Sequence, residues 1–126
     1  MENPDSREVK CTAQLSAVED AMYVLGGKWK LRIMIAVVNG HHRFNELQRR
    51  INGISARVLS TELKSLELNG LVTRAVKADQ TPVVVEYLPT EYAATLKEIV
   101  AVLSDWGSSH KRRITGKGEA LVARED

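Results

Sequence analysis

A single cysteine, Cys11, stands in the 126 residues, so an internal disulfide framework is excluded and stability must come from a packed core. That usage fits a reducing compartment, and a cytoplasmic location is expected. Long apolar runs are also missing. The longest extends only from Ile33 to Val38, far short of the ~20 residues a membrane helix needs. The opening Met1-Glu2-Asn3-Pro4-Asp5 is polar and acidic, unlike a secretory signal. No membrane partner is therefore expected. Catalytic constellations are equally scarce, with no nucleophile–base pair, carboxylate pair or nucleotide-binding loop in view. His41 and His42 are adjacent, but no third ligand stands at metal spacing and His110 is remote. They are read as solvated loop histidines. No metal, no cofactor and no enzymatic activity are expected.

Charge is present in quantity but unevenly placed. The net charge is only +2. Between Lys28 and Lys77, however, ten basic residues face three acidic ones, a local excess of +7 that leaves −5 for the remainder. A basic middle between acidic ends is the electrostatic footprint of a nucleic-acid surface.

The stretch Ser55 to Glu67 organises the chain. Ser55 has the position and chemistry of a helix N-cap. With residues spaced about 100° apart around a helix axis, Leu59, Leu63 and Leu66 form one narrow apolar stripe. Arg57, Thr61 and Lys64 fall opposite, with Ser60 on the shoulder. Such donors reach base edges and phosphates. Phe44 to Ile51 reads as a short preceding helix, and Asn52-Gly53-Ile54 as a tight turn. Short helix, glycine turn and capped polar helix have the layout of a helix-turn-helix.

Around this unit, residues 1–12 lack periodicity and are expected to form a mobile arm. A helix is expected over about Ser16 to Leu25, with Val18 and Met22 on one face and a capping box at Ser16 and Glu19. The β-branched run through Val38 suggests a strand by composition. Its length, the Trp29–Ile33–Val37 spacing and the stop at Asn39-Gly40 favour a buried helix. His41-His42-Arg43 is a loop or a very short strand. After Asn69-Gly70, the β-rich runs 71–77 and 83–88 make a hairpin. A hairpin directly after a helix-turn-helix is a wing, with Arg74 and Lys77 as its candidate phosphate contacts. Pro89-Thr90-Glu91 then opens a long helix. Tyr92, Leu96, Ile99, Val100, Leu103 and Trp106 recur at near-heptad spacing, which suits a seam with a second subunit. The charged stretch from Ser108 to Asp126 is expected to fray. The expected organisation is an arm at 1–12, one domain at 13–110 and a charged tail at 111–126. The fold class is mainly α with a small β-hairpin wing.

Several short pieces resemble the HxlR-type transcriptional regulators, winged helix-turn-helix proteins of bacteria and archaea related to the MarR group. These are Gly26-Gly27-Lys28-Trp29, Arg43-Phe44-Asn45-Glu46-Leu47, Gly53 to Ser60, Leu63 to Glu67, Asn69 to Val72 and Val85-Glu86-Tyr87. The match runs in order from about Cys11 to Gly107, most of the chain. The resemblance implies a homodimer formed by the first and last helices, binding a palindromic double-stranded operator. Arg43, Asn45 and Ser55 then join Arg57, Ser60, Thr61, Lys64, Arg74 and Lys77 as the DNA-contacting set. Val18, Met22, Leu96, Ile99, Val100, Leu103 and Trp106 form the expected dimer interface. Many members of that family sense electrophiles with a cysteine at the start of the first helix, followed by Pro-Val-Glu. Here the matching run is Ser16-Ala17-Val18-Glu19, with serine in that place. Cys11, five residues earlier, is the one candidate redox residue, and the sensor role does not carry over to it. A winged-helix protein-interaction module is the rival from another class. The polar face of Arg57, Thr61 and Lys64 argues against it. The operator, the regulated genes and any small-molecule inducer are not encoded legibly.

Overall fold

The computed structural model describes residues 4–121. The chain order is α1 (Pro4–Leu25), α2 (Lys30–Val38), α3 (Phe44–Arg50), α4 (Ala56–Leu68), β1 (Val72–Lys77), β2 (Val84–Pro89), a 3-10 turn (Tyr92–Thr95) and α5 (Leu96–Leu121). The architecture is mainly helical with one antiparallel hairpin, the winged helix-turn-helix expected. The chain divides into two compact units, Met1–Tyr92 and Ala93–Asp126.

Within the first unit, α2 is a helix despite its β-branched content. Its inward face carries Ile33, Met34 and Val37, all essentially inaccessible to solvent. Burial of that face outweighs the small intrinsic penalty on Ile and Val in a helix. Leu47 of α3, Leu59, Leu63 and Leu66 of α4, and Leu71 and Val72 after it are buried to the same degree. Truncating one of these leucines to alanine costs about 2–5 kcal/mol. The core therefore sits under the helix-turn-helix and at the root of the wing.

α2 and α4 end in the same way. Gly40 and Gly70 adopt φ of 100° and 77°, a region glycine enters without a Cβ penalty. At α4, Gly70 N–H donates to Glu67 O and Leu71 N–H donates to Leu66 O, both at 3.0 Å. Leu71 and Leu66 are the apolar pair that accompanies such an ending. Each helix also carries an asparagine whose side chain donates back four residues, Asn39 to Ile35 O at 2.7 Å and Asn69 to Ser65 O at 2.9 Å.

The hairpin register pairs Val72 with Pro89 and Lys77 with Val84. Its base is closed by Thr90, whose hydroxyl donates to Gly70 O at 2.6 Å. The loop before α3 is tied to the wing by one strand-like bond, Tyr87 N–H to His42 O at 2.7 Å. That bond gives the loop strand-like pairing at one residue, while His41 and His42 themselves carry no regular structure.

The helix limits differ from the sequence reading. α1 begins at Pro4, so the segment read as an arm is helical from that residue, and Ser16 lies mid-helix rather than at a cap. Proline suits a first helical position because the N–H it lacks would be unpaired there. Arg7, Glu8, Lys10 and Gln14 are strong helix formers whose propensity needs no apolar periodicity. The last helix starts later than expected. A 3-10 turn occupies Tyr92–Thr95, and α5 follows from Leu96. α5 then continues to Leu121, through most of the stretch expected to fray. Residues 1–3 of the arm and 122–126 of the tail lie outside the described residues.

Candidate nucleic-acid interface

The interface is best built from α4 outward. Ser55 is extended at φ −83°, ψ 159°, and its Oγ accepts from Val58 N–H at 3.1 Å. The predicted cap is therefore in place, and the Ser55 hydroxyl proton is left to donate elsewhere. Beyond the cap, Arg57, Ser60, Thr61 and Lys64 are all exposed, while Leu59, Leu63 and Leu66 are buried. The two-faced helix read from the spacing is thus formed. The Thr61 hydroxyl donates to Arg57 O at 3.1 Å, so toward a ligand it acts through its lone pairs. Among the described residues, neither Arg57 nor Lys64 lies in ion-pair contact with an acid.

One contact holds α4 from behind. Lys30 Nζ, at the start of α2, lies 2.6 Å from Glu62 Oε1, and the two side chains are only 16% and 20% exposed. Both residues were counted in the charge balance, but nothing in their spacing of 32 positions announced a pair. Beside it, Trp29 carries two cations over its ring, Lys28 Nζ at 4.9 Å and Arg32 Cζ at 5.3 Å from the centroid. Gly53 in the helix–helix turn has φ 87°, and a Cβ there would stand 3.9 Å from Trp29. Backbone conformation, more than space, calls for glycine at that turn.

α3 brings Arg43 and Asn45 to the surface at its N-terminus. Arg43 is the extended residue before the helix and makes no capping bond with its side chain. Glu46 in the first turn accepts from His41 Nδ1 at 3.0 Å. The hydrogen bond from His41 is the main cause that holds the Glu46 carboxyl below its ordinary value of 4.5, with backbone N–H groups of Arg43 and His42 assisting against a desolvation penalty. A negative charge is so maintained at the positive end of α3. Arg43, Asn45 and Arg49 share an open cleft of about 520 Å³ with Pro82 to Val85 at the start of β2. Arg49 is an addition that the sequence reading did not select. It projects into that cleft only because the hairpin folds back beside α3.

The two wing cations are not equivalent. Arg74 is exposed, whereas Lys77 Nζ lies 3.2 Å from Glu86 Oε1 on the opposite strand. Lys77, a candidate phosphate contact by sequence, is partly neutralised within the hairpin. Tyr23 was also missed. It is 86% exposed at the end of α1 and lines a cleft of about 690 Å³ with Ser60, Thr61, Lys64 and Leu68. An aromatic residue in an amphipathic helix gives no sequence signal of such a position.

The helices expected to form a seam expose apolar side chains. On α1, Val18 and Met22 are 53% and 52% exposed, and Leu15 joins them. On α5, Ile99, Leu103 and Trp106 are exposed and Val100 is half-buried. The Trp106 ring stacks on His110 at 4.9 Å between centroids. Leu96 departs from the expectation, being 7% exposed and so left with little surface for a partner. Cys11 is exposed on α1. No helix among the described residues is long and apolar enough to cross a membrane. No group of three or more potential metal ligands occurs among the described residues.

Comparison with known proteins agrees with this geometry. The model of the family described as HxlR-like helix-turn-helix matches residues 24–115. The chain is 38% identical over 109 residues to YdeP of Bacillus subtilis, an HTH-type transcriptional regulator, covering 86% of this chain and 84% of YdeP. It is 36% identical to an HTH-type transcriptional regulator of Methanothermobacter thermautotrophicus, over 83% of this chain and 79% of that protein. Among solved structures, the HTH-type transcriptional regulator ytcD superposes with a TM-score of 0.72 at 37% identity, over 75% of this chain and 96% of ytcD. The redox regulator HypR in its reduced form gives the same TM-score at 38% identity, over 79% of this chain and 98% of HypR.

Proposed function

The chain belongs to the HxlR-like helix-turn-helix family and is a helix-turn-helix transcriptional regulator, and from that premise we propose that it acts as a homodimer on a palindromic DNA operator. In this reading α4 enters the major groove. Arg57, in its first turn, meets base edges, where a bidentate contact to guanine is the commonest specific pairing. Lys64 and Arg74 contact phosphates, with Arg43, Asn45 and the Ser55 hydroxyl fixing the register of the duplex. Lys77 contributes less, because Glu86 already offsets its charge.

The observation that carries the reading is the division of α4. Its apolar face is fully buried and capped in place, while Arg57, Ser60, Thr61 and Lys64 remain exposed together. A surface for docking another protein would more often be apolar at its centre. The homodimer is supported by the uncovered side chains of α1 and α5, where Val18, Met22, Ile99, Leu103 and Trp106 stand in solvent. Exposed apolar side chains recurring along a helix, as on each of these two, mark an association surface. Val100 adds to it, whereas Leu96 does not.

The test is affinity for a palindromic operator, sought first in the DNA upstream of the chain's own gene, against a scrambled duplex at several salt concentrations. Two recognition helices should span half-sites roughly 34 Å apart. Arg57→Ala should cost about 1–3 kcal/mol per half-site and relax specificity. Arg74→Ala should weaken both duplexes alike and flatten the salt dependence by about one unit per lost contact. If both substitutions leave affinity and salt slope unchanged, the basic surface is not the DNA surface, and a protein-interaction module takes its place.

A further inference from the structure

A further cleft, of about 350 Å³, is built from residues that the DNA reading does not use. Arg32, Ile35 and Ala36 of α2 form one wall, Arg50 and Ile51 at the end of α3 form another, and His41 borders it. Its volume falls at the small end of the range of ligand clefts, ~300–1,000 Å³. The lining between these walls is apolar: Ile35 is 43% exposed and offers most of the surface, while Ala36 and Ile51, each 6% exposed, close the cleft from behind with little surface of their own.

The charge in the cleft is of one sign. Arg32 and Arg50 line it and no acidic side chain does. Three basic groups of this unit carry an acid, Lys30 with Glu62, His41 with Glu46 and Lys77 with Glu86, whereas among the described residues Arg57 and Lys64 on the proposed DNA-facing side of α4 carry none. Among the described residues neither Arg32 nor Arg50 has such an acid. Arg32 also rests over the Trp29 ring at 5.3 Å, which limits its rotamers and leaves its edge donors available. Two guanidinium groups offer forked donors that match a carboxylate. An inorganic anion or a DNA phosphate would use those donors but leave the apolar lining wet. An organic acid uses both.

We propose that this cleft binds a small organic carboxylate, its charge held by Arg32 and Arg50 and its short apolar body laid against Ile35, at the mouth of a cleft that Ala36 and Ile51 close from behind. The assignment does not depend on DNA binding, and its test is made without DNA. Hexanoate is titrated into the full chain and followed by amide NMR shifts, with hexanamide as the uncharged counterpart. Saturable shifts of Ile35, Asn39 and Ile51 are expected, with hexanamide and the Arg50→Gln variant each weaker by roughly tenfold or more, the loss of one charge-assisted pairing. Lys97→Gln, a charge change on α5, should leave hexanoate affinity as it was. Because Trp29 contacts Arg32, its emission in a Trp106→Phe background gives a second readout of the same event. Equal binding of hexanamide would overturn the proposal, as would unchanged affinity in Arg50→Gln. Cleft shifts that follow protein concentration rather than hexanoate would assign the site to a second copy of the chain and overturn it too.

Discussion

Replacing Lys30 with methionine removes a charge from behind the recognition helix while keeping most of the side-chain volume. The wild-type pair has Nζ and Oε1 at 2.6 Å with side chains 16% and 20% exposed. Exposed ion pairs contribute about 0.2–1 kcal/mol. Breaking a fully buried one costs about 3–5 kcal/mol, because the remaining charge is left without a partner. Lys30 and Glu62 lie between those limits, so Lys30→Met should destabilise by about 1–3 kcal/mol. Much of that is the penalty on the stranded Glu62 carboxylate. The double variant Lys30→Met/Glu62→Gln removes that penalty and should recover part of the loss. Urea unfolding at one fixed protomer concentration measures all four corners of the cycle. A coupling energy of about 1 kcal/mol is expected, and a value below about 0.3 kcal/mol would refute the reasoning. The same pair connects α2 to α4, so Lys30→Met should also blunt discrimination between operator and scrambled duplex more than it weakens binding to either.

Leu103→Asp places a charge in the proposed α5 seam and should drive the dimer to monomer, read by light scattering; a wild-type chain that is monomeric at micromolar concentration would defeat the seam. With Ser16 where the resemblance would put a sensing thiol, and Cys11 the single cysteine, peroxide or quinone should change operator affinity little, and a large effect in a gel shift that disappears in Cys11→Ser would show a working thiol in Cys11. Glu46 has a lowered folded-state pKa because His41 donates to it. Its contribution to stability is therefore complete above about 4.5, the ordinary value, and is lost as the pH falls through the lowered one. Glu46→Gln should flatten the acid side of the stability profile below about pH 4.5, and an unchanged profile would remove the His41–Glu46 bond from the account.

Local chemistry along the chain specifies the helix-turn-helix. Ser55 at a cap, leucines at 59, 63 and 66, and glycines at 53 and 70 each constrain a few neighbouring residues. Such constraints act through backbone geometry and 3.6-residue periodicity, so they are readable along the chain. The choice of helix for Lys30 to Val38 and the hairpin after Gly70 were legible for the same reason. The limits of α1 and α5 were not, because helices without apolar periodicity on most of their faces give no pattern to read. What tertiary structure alone decided concerns pairs far apart in sequence. It set Lys30 against Glu62, offset Lys77 with Glu86, and gathered Arg32 and Arg50 around one cleft. Tyr23 came beside Ser60 and Lys64 by the same means. Coulomb attraction and desolvation depend on distance in space, and the fold fixes that distance only after the core leucines have brought the helices together.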